Sequence, residues 1–446
     1  MGAARKHEET IAGWGNVGVP GREVLSERLE PASAEAVLCR GLGRSYGDSA
    51  LPPPGAREVL GTRLADRILA FDPESGRIRA EAGLTLLELN RLFLRRGYFT
   101  PVTPGTQFVT LGGMVAADVH GKNHHVAGCF GSDHVRRLKL RVADGQILEC
   151  GPELEPELFY ATCGGMGLTG HILEVEVDLK RISSPWIMGE SRRIANIDHF
   201  LEALKDASSR YPYVVGWIDC LSRGKKMGRG LLDAGRWATP EETAGKALPE
   251  RPAITFPVDL PSWVLNDYTA KAFNSLWYWK HLPKRREGLR HPDGFFYPLD
   301  MIRRWNRMYG RRGFTQYQCI IPEAAGRDGV VRFLDFLTGM GGASFLCVIK
   351  DCGPESKGTL SFPMPGISIA LDLPVRPDTQ KLVDALNELL IAEGGRIYLA
   401  KDTFTRADDF RRMDPRVERF EAVRDRWDPE RRLRSAQSVR LFGDPA

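Results

Sequence analysis

The chain has 446 residues, a length that allows two or three domains with substantial cores. Its composition, 42% hydrophobic and 27% charged, is that of an ordinary globular protein and excludes a disordered or low-complexity chain. The formal net charge of +5 permits an anionic partner without requiring one, and we predict no nucleic-acid partner.

We expect neither a membrane span nor a cleaved leader. No apolar run approaches the roughly 20 residues that a spanning helix needs. The N-terminal sequence MGAARKHEETIAGWG lacks a hydrophobic signal core, which predicts a cytoplasmic protein, with peripheral contact at the inner membrane left open. The eight cysteines include no CxxC pair, which argues against a disulfide framework and a zinc site.

The first 182 residues predict alternating strands, turns and helices. RILAFDPESGRIRAEAG forms two alternating runs around a turn, and RRLKLRVADGQILECG turns at Asp144–Gly145, so both predict β-hairpins. TLLELNRLFLRRG predicts a helix with Thr85 as N-cap and Gly97 as C-cap. The helical face expected to be buried carries Leu86, Leu89, Leu92 and Phe93. The alternating strand HILEVEVDLKRI closes this unit.

The middle of the chain predicts an inserted second domain. Residues 222–263 are rich in glycine, proline and charge, which favours long loops. FNSLWYWKHLPKRREGLRHPDGFFYP would suit a membrane surface, but a core helix followed by a solvated loop is the favoured reading. Strands reappear in FTQYQCIIP, SFLCVIKD and GISIALDLPV, followed by a helix in KLVDALNELLIAEG. We predict an α+β fold with a first domain at 1–182, a domain on an antiparallel sheet flanked by helices at 183–395, and a segment at 396–446 that returns to the first domain.

Three glycine-rich segments together indicate an extended cofactor that contains phosphate. In RGLGRSYGDSALPPPG the prolines at 52–54 exclude the helix that a Rossmann fingerprint requires, so the choice lies between an amide nest for a pyrophosphate and a plain turn. TPGTQFVTLGGMVAADVHG combines hydroxyl groups, glycines and the start of a short helix. CGGMGLTG at 163–170 has the same character. Each segment is a weak signal alone, but all three occur at strand–helix junctions of one unit.

The order of RGLGRSYGD, PVTPGTQFVTLGGMVAADVHGKNHHVAGCFG and ATCGGMGLTG resembles the FAD-binding domain of the vanillyl-alcohol-oxidase (PCMH-type) superfamily. HGKNHH, FFYPLDMIRRWNRMYG, LSFPMPG, GGRIYLAKD and DPERRLRSAQSVRLF are similar, in order, to the decaprenylphosphoryl-β-D-ribose oxidase family. The resemblance covers nearly the whole chain. It implies FAD held between a domain built from both chain ends and an inserted substrate domain.

The resemblance also bears on how FAD is attached and which residues contact it. Relatives with covalent flavin use a histidine in a G-x-G-H-S loop, and Arg44 stands at that place here, so we predict noncovalent FAD. Tyr46 is expected at the flavin side of the pocket. The implied FAD contacts are Arg40, Gly41, Leu42, Gly43, Arg44, Ser45, Tyr46, Gly105, Thr106, Thr110, Gly112, Gly113, Ala116, Asp118, His120, Gly121, Asn123, His124, Gly128, Cys163, Gly164, Gly167, Leu168, Gly170 and Ile172.

The stretch HGKNHH at 120–125 raises the question of a metal site. His120 and His124 are four residues apart with Asp118 nearby, which makes metal ligation conceivable. Gly121 and Lys122 disfavour a rigid metal cage, and we predict no metal. The resemblance instead places His120 against the flavin ring and Lys122 at the substrate mouth. The alternative, histidines bonded to backbone carbonyls, stays open for His124 and His125.

Oxidation of an alcohol by flavin needs a hydride acceptor, a proton acceptor and positive charge near the flavin pyrimidine. The resemblance assigns the cation and substrate positioning to Lys401 in GGRIYLAKD. A lysine buried near a second cation loses its proton readily, so Lys401 is also a candidate base. His120 is the rival base, and a solvated surface lysine is the alternative reading of Lys401.

Paired amides predict a sugar-binding wall. Gln316 and Gln318 lie two residues apart on one predicted strand, hence on the same face, while Tyr317 points the other way. Amides offer both donors and acceptors to hydroxyl groups, although a solvent-facing polar sheet is the alternative. Trp217 and Lys350 are expected to extend this wall, with Lys350 facing a phosphate.

The chain departs from the resemblance in the predicted substrate pocket. The mycobacterial members of the family have Asn and Cys at the positions of Ser368 and Ala370. A Tyr-His pair is replaced by Phe296 and Tyr297. These changes leave the expected chemistry intact but put the identity of the substrate in doubt.

The resemblance implies FAD-dependent oxidation of a secondary hydroxyl of a pentose to a ketone. The expected substrate is a polyprenylphosphoryl-β-D-ribose, oxidised at its 2′-hydroxyl in an epimerisation towards polyprenylphosphoryl-arabinose for cell-wall arabinan. A separate short-chain NAD(P)H reductase is the expected partner. The alternatives are an oxidase of free alditols or aldonolactones and a flavin-binding partner protein without turnover.

Overall fold

The structure is a computed structural model that describes residues 9–261, 263–340, 344 and 346–446. Residues 1–8 lie outside the described residues. Most of the leader prediction rests on them, and the predicted first domain begins with them. Phe345 of the predicted strand SFLCVIKD also lies outside the described residues.

The elements are named in chain order. The strands are β1 Thr10–Ala12, β2 Gly18–Pro20, β3 Arg22–Leu25, β4 Cys39–Arg40, β5 Glu58–Gly61, β6 Ile68–Phe71, β7 Arg77–Glu81, β8 Tyr98–Phe99, β9 Val135–Arg141, β10 Ile147–Cys150, β11 His171–Asp178, β12 Lys180–Arg181, β13 Ile187–Ile194, β14 Tyr213–Ile218, β15 Gly230–Trp237, β16 Ile254–Thr255, β17 Arg285–Arg290, β18 Ile302–Arg303, β19 Phe314–Pro322, β20 Cys347–Cys352, β21 Gly366–Pro374 and β22 Arg396–Ile397. The α-helices are α1 Leu29–Ala32, α2 Leu86–Phe93, α3 Leu111–Ala116, α4 His124–Ala127, α5 Phe130–His134, α6 Pro156–Thr162, α7 Ile197–Arg210, α8 Pro240–Thr243, α9 Asp267–Lys280, α10 Pro292–Phe296, α11 Gly326–Gly339, α12 Thr379–Ala392, α13 Ala407–Met413, α14 Arg416–Trp427 and α15 Ala436–Phe442.

Among the described residues three larger sheets organise the fold, beside three two-stranded sheets, β1-β2, β12-β8 and β16-β18. A five-stranded sheet has the order β10-β9-β11-β7-β6, and all its neighbouring strands are antiparallel. A small parallel sheet has the order β3-β5-β4. An eight-stranded antiparallel sheet has the order β17-β13-β15-β14-β20-β21-β19-β22. Helices combined with antiparallel sheets confirm the predicted α+β class.

Local patterns in the first part of the chain are confirmed with one exception. The two predicted hairpins are β6–β7 and β9–β10, and Thr85 caps α2 in a capping box with Glu88. The predicted C-cap Gly97, with φ +83°, ends the 3₁₀ turn Leu94–Arg96 that continues α2. Leu92 was predicted to be buried, but 41% of it is exposed. At 100° per residue Leu92 lies on the flank of α2, and Asn90 takes the inward position, where its Nδ2 donates to the Tyr297 hydroxyl (3.0 Å).

The middle of the chain differs from prediction in two places. Residues 222–263 were predicted to be long loops, but they contain the buried strand β15 between β13 and β14. Its glycines permit close strand packing, since a Cβ at Gly235 would come within 2.8 Å of the Ile187 side chain. The aromatic stretch predicted as a core helix is α9, which is exposed on most of its surface, and the following basic stretch, predicted as a loop, is the edge strand β17.

The C-terminal segment contributes to two parts of the molecule. Phe410, Val417 and Phe420 belong to the same core as residues of the five-stranded sheet, and α14 packs on α6. Strand β22, at the start of this segment, pairs with β19 of the eight-stranded sheet. The domain boundaries at residues 182 and 395 stay a prediction. Over the part of the chain that the structure describes, no helix has the length and apolar character needed to cross a bilayer.

A buried ion pair holds the end of the C-terminal segment. The Arg424 guanidinium donates to the Asp444 carboxylate (2.7 Å), and neither side chain is more than 2% exposed. We expect Asp444→Ala to lower the free energy of unfolding by about 3–5 kcal/mol, because it leaves a buried cation without its partner. Urea unfolding would measure this. Arg22→Ala, which breaks the exposed pair with Glu58, is the control and should leave the unfolding midpoint unchanged; equal losses for both variants would contradict the argument.

Candidate active site

One large cavity of about 1590 Å³ lies where the three glycine-rich segments meet the eight-stranded sheet. Strands β14, β15, β19, β20 and β21 contribute side chains to its wall, together with residues 398–401 after β22. The residues predicted for cofactor and substrate that line it are Gly41, Leu42, Gly43, Arg44, Ser45, Tyr46, Gly105, Thr106, Thr110, Gly112, Gly113, Ala116, His120, Gly121, Gly167, Gly170, Ile172, Lys122, Trp217, Gln316, Gln318, Lys350, Ala370 and Lys401. The structure therefore brings together most of the predicted site.

The first glycine-rich segment is a turn that follows strand β4 without entering a helix. Gly43 has φ +59°, and a Cβ there would collide with the Arg40 guanidinium. Arg40 does not line the cavity; its Nη1 donates to the Ala50 carbonyl (2.8 Å) and its Nη2 to the Ala12 carbonyl (2.7 Å). Arg40 thus supports the turn from behind.

The second segment packs directly on the first. Thr110 caps α3, and its Oγ1 accepts from the Gly113 amide (3.2 Å). A Cβ at Gly41 would come within 2.4 Å of the same oxygen, so glycine is required where the two segments touch. At Gly105 an added Cβ would meet no protein atom within 4 Å. This part of the backbone therefore faces open space in the cavity wall.

The third segment contributes only in part. Gly167 has φ +85° and no neighbouring atom within 4 Å of a Cβ position, whereas Gly170 packs against Leu140. The other predicted members lie behind the wall: Cys163 and Leu168 are in the core, and Gly164 abuts Leu360.

Asp118, Asn123, His124 and Gly128 lie behind the cavity wall. The Asp118 carboxylate accepts from the amides of Gly131 (2.8 Å) and Ser132 (2.9 Å), and Asn123 Nδ2 donates to the Pro101 carbonyl (2.8 Å). A Cβ at Gly128 would collide with the Asp133 carboxylate. These residues shape the loop that carries His120.

His124 is a packing residue of this loop. Its Nδ1 accepts from the Gly353 amide (3.1 Å), and burial lowers its pKa to about 3, so the ring is neutral. The rings of His120 and His124 are 6.4 Å apart between centroids. The described residues hold no group of three His, Cys, Asp or Glu side chains arranged for a metal ion.

His120 lies inside the cavity wall with one unpaired nitrogen. Its ring packs 5.0 Å from that of Tyr398 and 5.3 Å from that of Phe362. Its Nε2 is 3.0 Å from Gln318 Nε2, and its buried Nδ1 has no partner among the described residues. Burial, and after it the neighbouring Lys350, His124 and Lys401, hold the pKa of His120 well below its usual value. The ring is therefore neutral near pH 7.

Three half-buried lysines face the same cavity. The Lys401 Nζ lies 3.8 Å from the centroid of the Tyr46 ring. Burial lowers the pKa of Lys401 to about 7, with Asp372 acting in the opposite direction and Lys350 in the same one. Burial, and then Lys350, lower the pKa of Lys122 to about 8, and burial also lowers the pKa of Lys350. Positive charge is concentrated here at a cost in desolvation, which favours an anionic ligand.

The two predicted amides share one buried face of β19, as expected, while Tyr317 packs on the opposite side against Phe333. Gln316 Nε2 donates to Asp372 Oδ1 (2.6 Å), and Gln318 Nε2 is 3.4 Å from Ser368 Oγ. Ser368 is fully buried and lies behind the cavity wall.

Asp372 was missed by the sequence analysis. It is fully buried on β21, where the Tyr309 hydroxyl also donates to its Oδ2 (2.9 Å). Burial raises its pKa to about 6. The signal available was a single carboxylate within the apolar strand GISIALDLP, since a buried charge needs partners.

The site fits the FAD that the resemblance implies. The cavity exceeds the usual volume of small-molecule pockets, about 300–1,000 Å³, and so has room for a dinucleotide and a substrate. The backbone at Gly105 and Gly167 is open to close approach of a ligand. The unpaired Nδ1 of His120 and the cation of Lys401 supply polar groups suited to a flavin ring.

We predict that the flavin dissociates on acid denaturation. Arg44, at the place of the histidyl link, donates from Nη1 to the Leu42 carbonyl (3.0 Å) and lies 4.3 Å over the Trp14 ring. Burial raises the pKa of Cys39, the cysteine in the cavity wall, to about 12, so it is no thiolate nucleophile. Acid precipitation should leave all flavin absorbance in the supernatant; flavin that stays with the pellet after washing would contradict the prediction.

Comparison with known proteins gives the family. Residues 25–151 match the model of an FAD binding domain. The chain is 33% identical to decaprenylphosphoryl-β-D-ribose oxidase of Mycolicibacterium smegmatis over 97% of each chain. It is also 33% identical to an uncharacterized protein in the mprA 5′ region of Streptomyces coelicolor, over 80% of this chain and 100% of the other. L-Gulonolactone oxidase of Mus musculus is 30% identical over 25% of this chain and 24% of its own.

The FAD-domain match and the near complete coverage by an oxidase give the cofactor and the reaction class, and the cavity has room for that cofactor. FAD is the cofactor, and the protein is an oxidoreductase. The chain belongs to the decaprenylphosphoryl-β-D-ribose oxidase family of FAD-dependent oxidoreductases, within the vanillyl-alcohol-oxidase superfamily.

Proposed function

We propose that this protein oxidises the 2′-hydroxyl of a polyprenylphosphoryl-β-D-ribose to a ketone, as one half of an epimerisation towards polyprenylphosphoryl-arabinose. A separate short-chain NAD(P)H reductase would complete the epimerisation, and the enzyme would act as a peripheral protein at the membrane that holds its substrate. The observation that carries the proposal is the combination of three lysines and two buried amides on one cavity.

The chemistry requires removal of a hydride and a proton from one secondary alcohol. FAD, when bound, supplies the hydride acceptor. We assign the proton to Lys401 Nζ, because a pKa of about 7 leaves much of this amine unprotonated at neutral pH. The ring of Tyr46 holds the Lys401 Nζ in position from one side.

His120 is assigned a positioning role beside the cofactor. Gln318 Nε2 donates to its Nε2, which requires the tautomer with the proton on Nδ1, and that Nδ1–H is its one free polar group among the described residues. Its pKa, held low by burial and the nearby cations, makes it a weak proton acceptor at neutral pH. These facts favour Lys401 over His120 as the base.

Gln316, Gln318, Lys122 and Lys350 are assigned to the substrate. Asp372 engages the Gln316 amide through its Nε2, and we assign the remaining acceptor, Oε1, to a sugar hydroxyl. A phosphate diester near Lys122 and Lys350 would restore the charged state that burial disfavours in both lysines. Trp217 and Ala370 complete the wall.

Anaerobic reduction of the bound flavin tests the proposal. Purified holoenzyme would be mixed without oxygen with a polyprenylphosphoryl-ribose, a free alditol and an aldonolactone, and flavin absorbance followed. Bleaching by the lipid-linked pentose phosphate alone supports the proposal. Bleaching by alditols or lactones but not by the phosphate would replace it with oxidation of free sugars, a reading favoured by the local similarity to L-gulonolactone oxidase. Flavin that no substrate bleaches would indicate a binding protein without turnover.

A further inference from the structure

Helix α9 has its apolar residues on the outside. Its buried positions form a narrow stripe of Ala270, Asn274 and Tyr278, one every four residues. Apart from Tyr278, the large apolar side chains lie on the exposed remainder. Their exposed fractions are 85% for Tyr268, 74% for Leu276, 53% for Trp279, 45% for Phe273 and 37% for Trp277, and Leu282 just beyond the helix is 74% exposed. This is the reverse of a helix that packs on a protein core.

Polar contacts hold α9 to the eight-stranded sheet. The fully buried Asn274 donates from Nδ2 to Asp219 Oδ1 (2.9 Å), and Asp219 also pairs with Arg229 (2.8 Å). Arg229 in turn donates to Ser275 Oγ (3.1 Å) and lies 4.9 Å from the Tyr278 ring centroid. The buried stripe of α9 is therefore anchored by polar contacts, while its exposed large apolar side chains are left for another surface.

Beyond Asp267, the first residue of α9, the sequence along this face carries only positive charge up to Glu287, although Arg285 is paired with Glu190 and Glu287. Between Asp267 and Glu287 the chain has no acidic residue, and its basic residues there are Lys271, Lys280, Lys284, Arg285 and Arg286. A mixture of Trp and Tyr with Lys and Arg is typical of helices that lie in the interface of an anionic bilayer. A second copy is a poorer occupant, because a two-fold interface would bring these cations against their own equivalents.

The helix also borders the cavity mouth. Thr269, Ala270, Phe273, Trp277 and His281 line the cavity, while Tyr268, Leu276 and Leu282 do not. We propose that α9 docks this protein onto an anionic lipid bilayer, with its apolar side chains in the headgroup–acyl boundary and the cavity mouth at the membrane surface. Delivery of a lipid-linked substrate through that mouth rests on the proposed function; the docking does not.

Vesicle flotation of the holoenzyme tests the docking. The variant combines Tyr268→Ser, Leu276→Ser and Leu282→Ser, and its matched control combines Leu64→Ser, Leu69→Ser and Leu154→Ser, which are 44–47% exposed elsewhere. With phosphatidylcholine–phosphatidylglycerol vesicles at low salt, the unchanged protein and the control should float. The α9 variant should lose at least about tenfold in partition coefficient while keeping its flavin spectrum, and binding of the unchanged protein should weaken at high salt.

The other outcomes overturn the docking. The docking is refuted if the unchanged protein stays with the dense fraction at low salt. It is also refuted if the α9 variant floats as well as the control. A concentration-dependent dimer in sedimentation that the α9 substitutions abolish would assign the face to a second copy instead. If the variant loses its flavin, the unchanged protein is tested instead by quenching of its tryptophan fluorescence with brominated lipids. Lack of quenching refutes the docking. Flotation without flavin reduction by a lipid-linked pentose would refute the proposed reaction but not the docking. Flavin reduction without flotation would refute the docking, and with it the peripheral location, but not the proposed reaction.

Discussion

Lys401→Met should slow anaerobic flavin reduction by about 10²- to 10⁴-fold, the usual contribution of a positioned base. Methionine keeps most of the length of the side chain but has no group that can take the proton from the substrate hydroxyl. It also removes the cation that rests on the Tyr46 ring. Stopped-flow absorbance at saturating substrate measures the reduction step separately from substrate binding.

Two further variants decide what the result means. Lys225→Met, at an exposed lysine of the turn Gly224–Lys226, should react at the unchanged rate. His120→Gln retains a polar side chain and should weaken flavin binding more than the rate of the bound enzyme. Full activity of Lys401→Met together with a loss of several orders of magnitude in His120→Gln would transfer the role of base to His120.

The sequence predicts those parts of the fold that depend on local patterns. The segment FTQYQCIIP, predicted as a strand, corresponds to β19 residue by residue, and the capping sequence at Thr85 begins α2. The prolines after the first glycine-rich segment correctly exclude a Rossmann helix, since the chain enters no helix there. Each of these follows from contacts or conformations within a few residues.

What the sequence missed depends on long-range contacts. The glycines of β15 indicate a loop until Ile187 is known to pack against Gly235. An aromatic helix indicates a core until its buried stripe is known to be Ala270, Asn274 and Tyr278. Asp372 becomes part of the site through Gln316 and Tyr309, which lie more than 50 residues away in sequence.

The candidate site shows the same division. Glycine motifs and family resemblance correctly named residues that line the cavity. Resemblance alone does not distinguish them from residues that lie behind the cavity wall and support it. Arg40, Asp118 and His124 contact backbone groups behind the wall instead of the cavity. That distinction depends on which way each side chain points, which a motif does not specify.

The rate of flavin reduction should depend on pH through Lys401. The base acts when unprotonated, and burial lowers its pKa to about 7. The rate should therefore be constant above about pH 8 and fall about tenfold per pH unit below pH 7, so that pH 5 is about 100-fold slower than the plateau. Rates measured from pH 5 to 9 with pre-bound substrate give this profile, and a flat profile would contradict the assignment.

Asp372→Asn tests the direction in which the pKa of Lys401 should move. The Asp372 carboxylate raises the pKa of Lys401, opposing burial, so its removal should lower that pKa further and move the falling limb of the profile to more acid pH. Asparagine can still accept from Gln316 Nε2, which keeps the amide in place and separates the electrostatic effect from a loss of orientation. At pH 7, where Asp372 with its pKa of about 6 is still largely ionised in the unchanged enzyme, the variant should then lie closer to its own plateau than the unchanged enzyme does. A limb displaced towards alkaline pH would mean that the titrating group is not the lysine beside Asp372, because a cation can only lose stability when its neighbouring anion is removed.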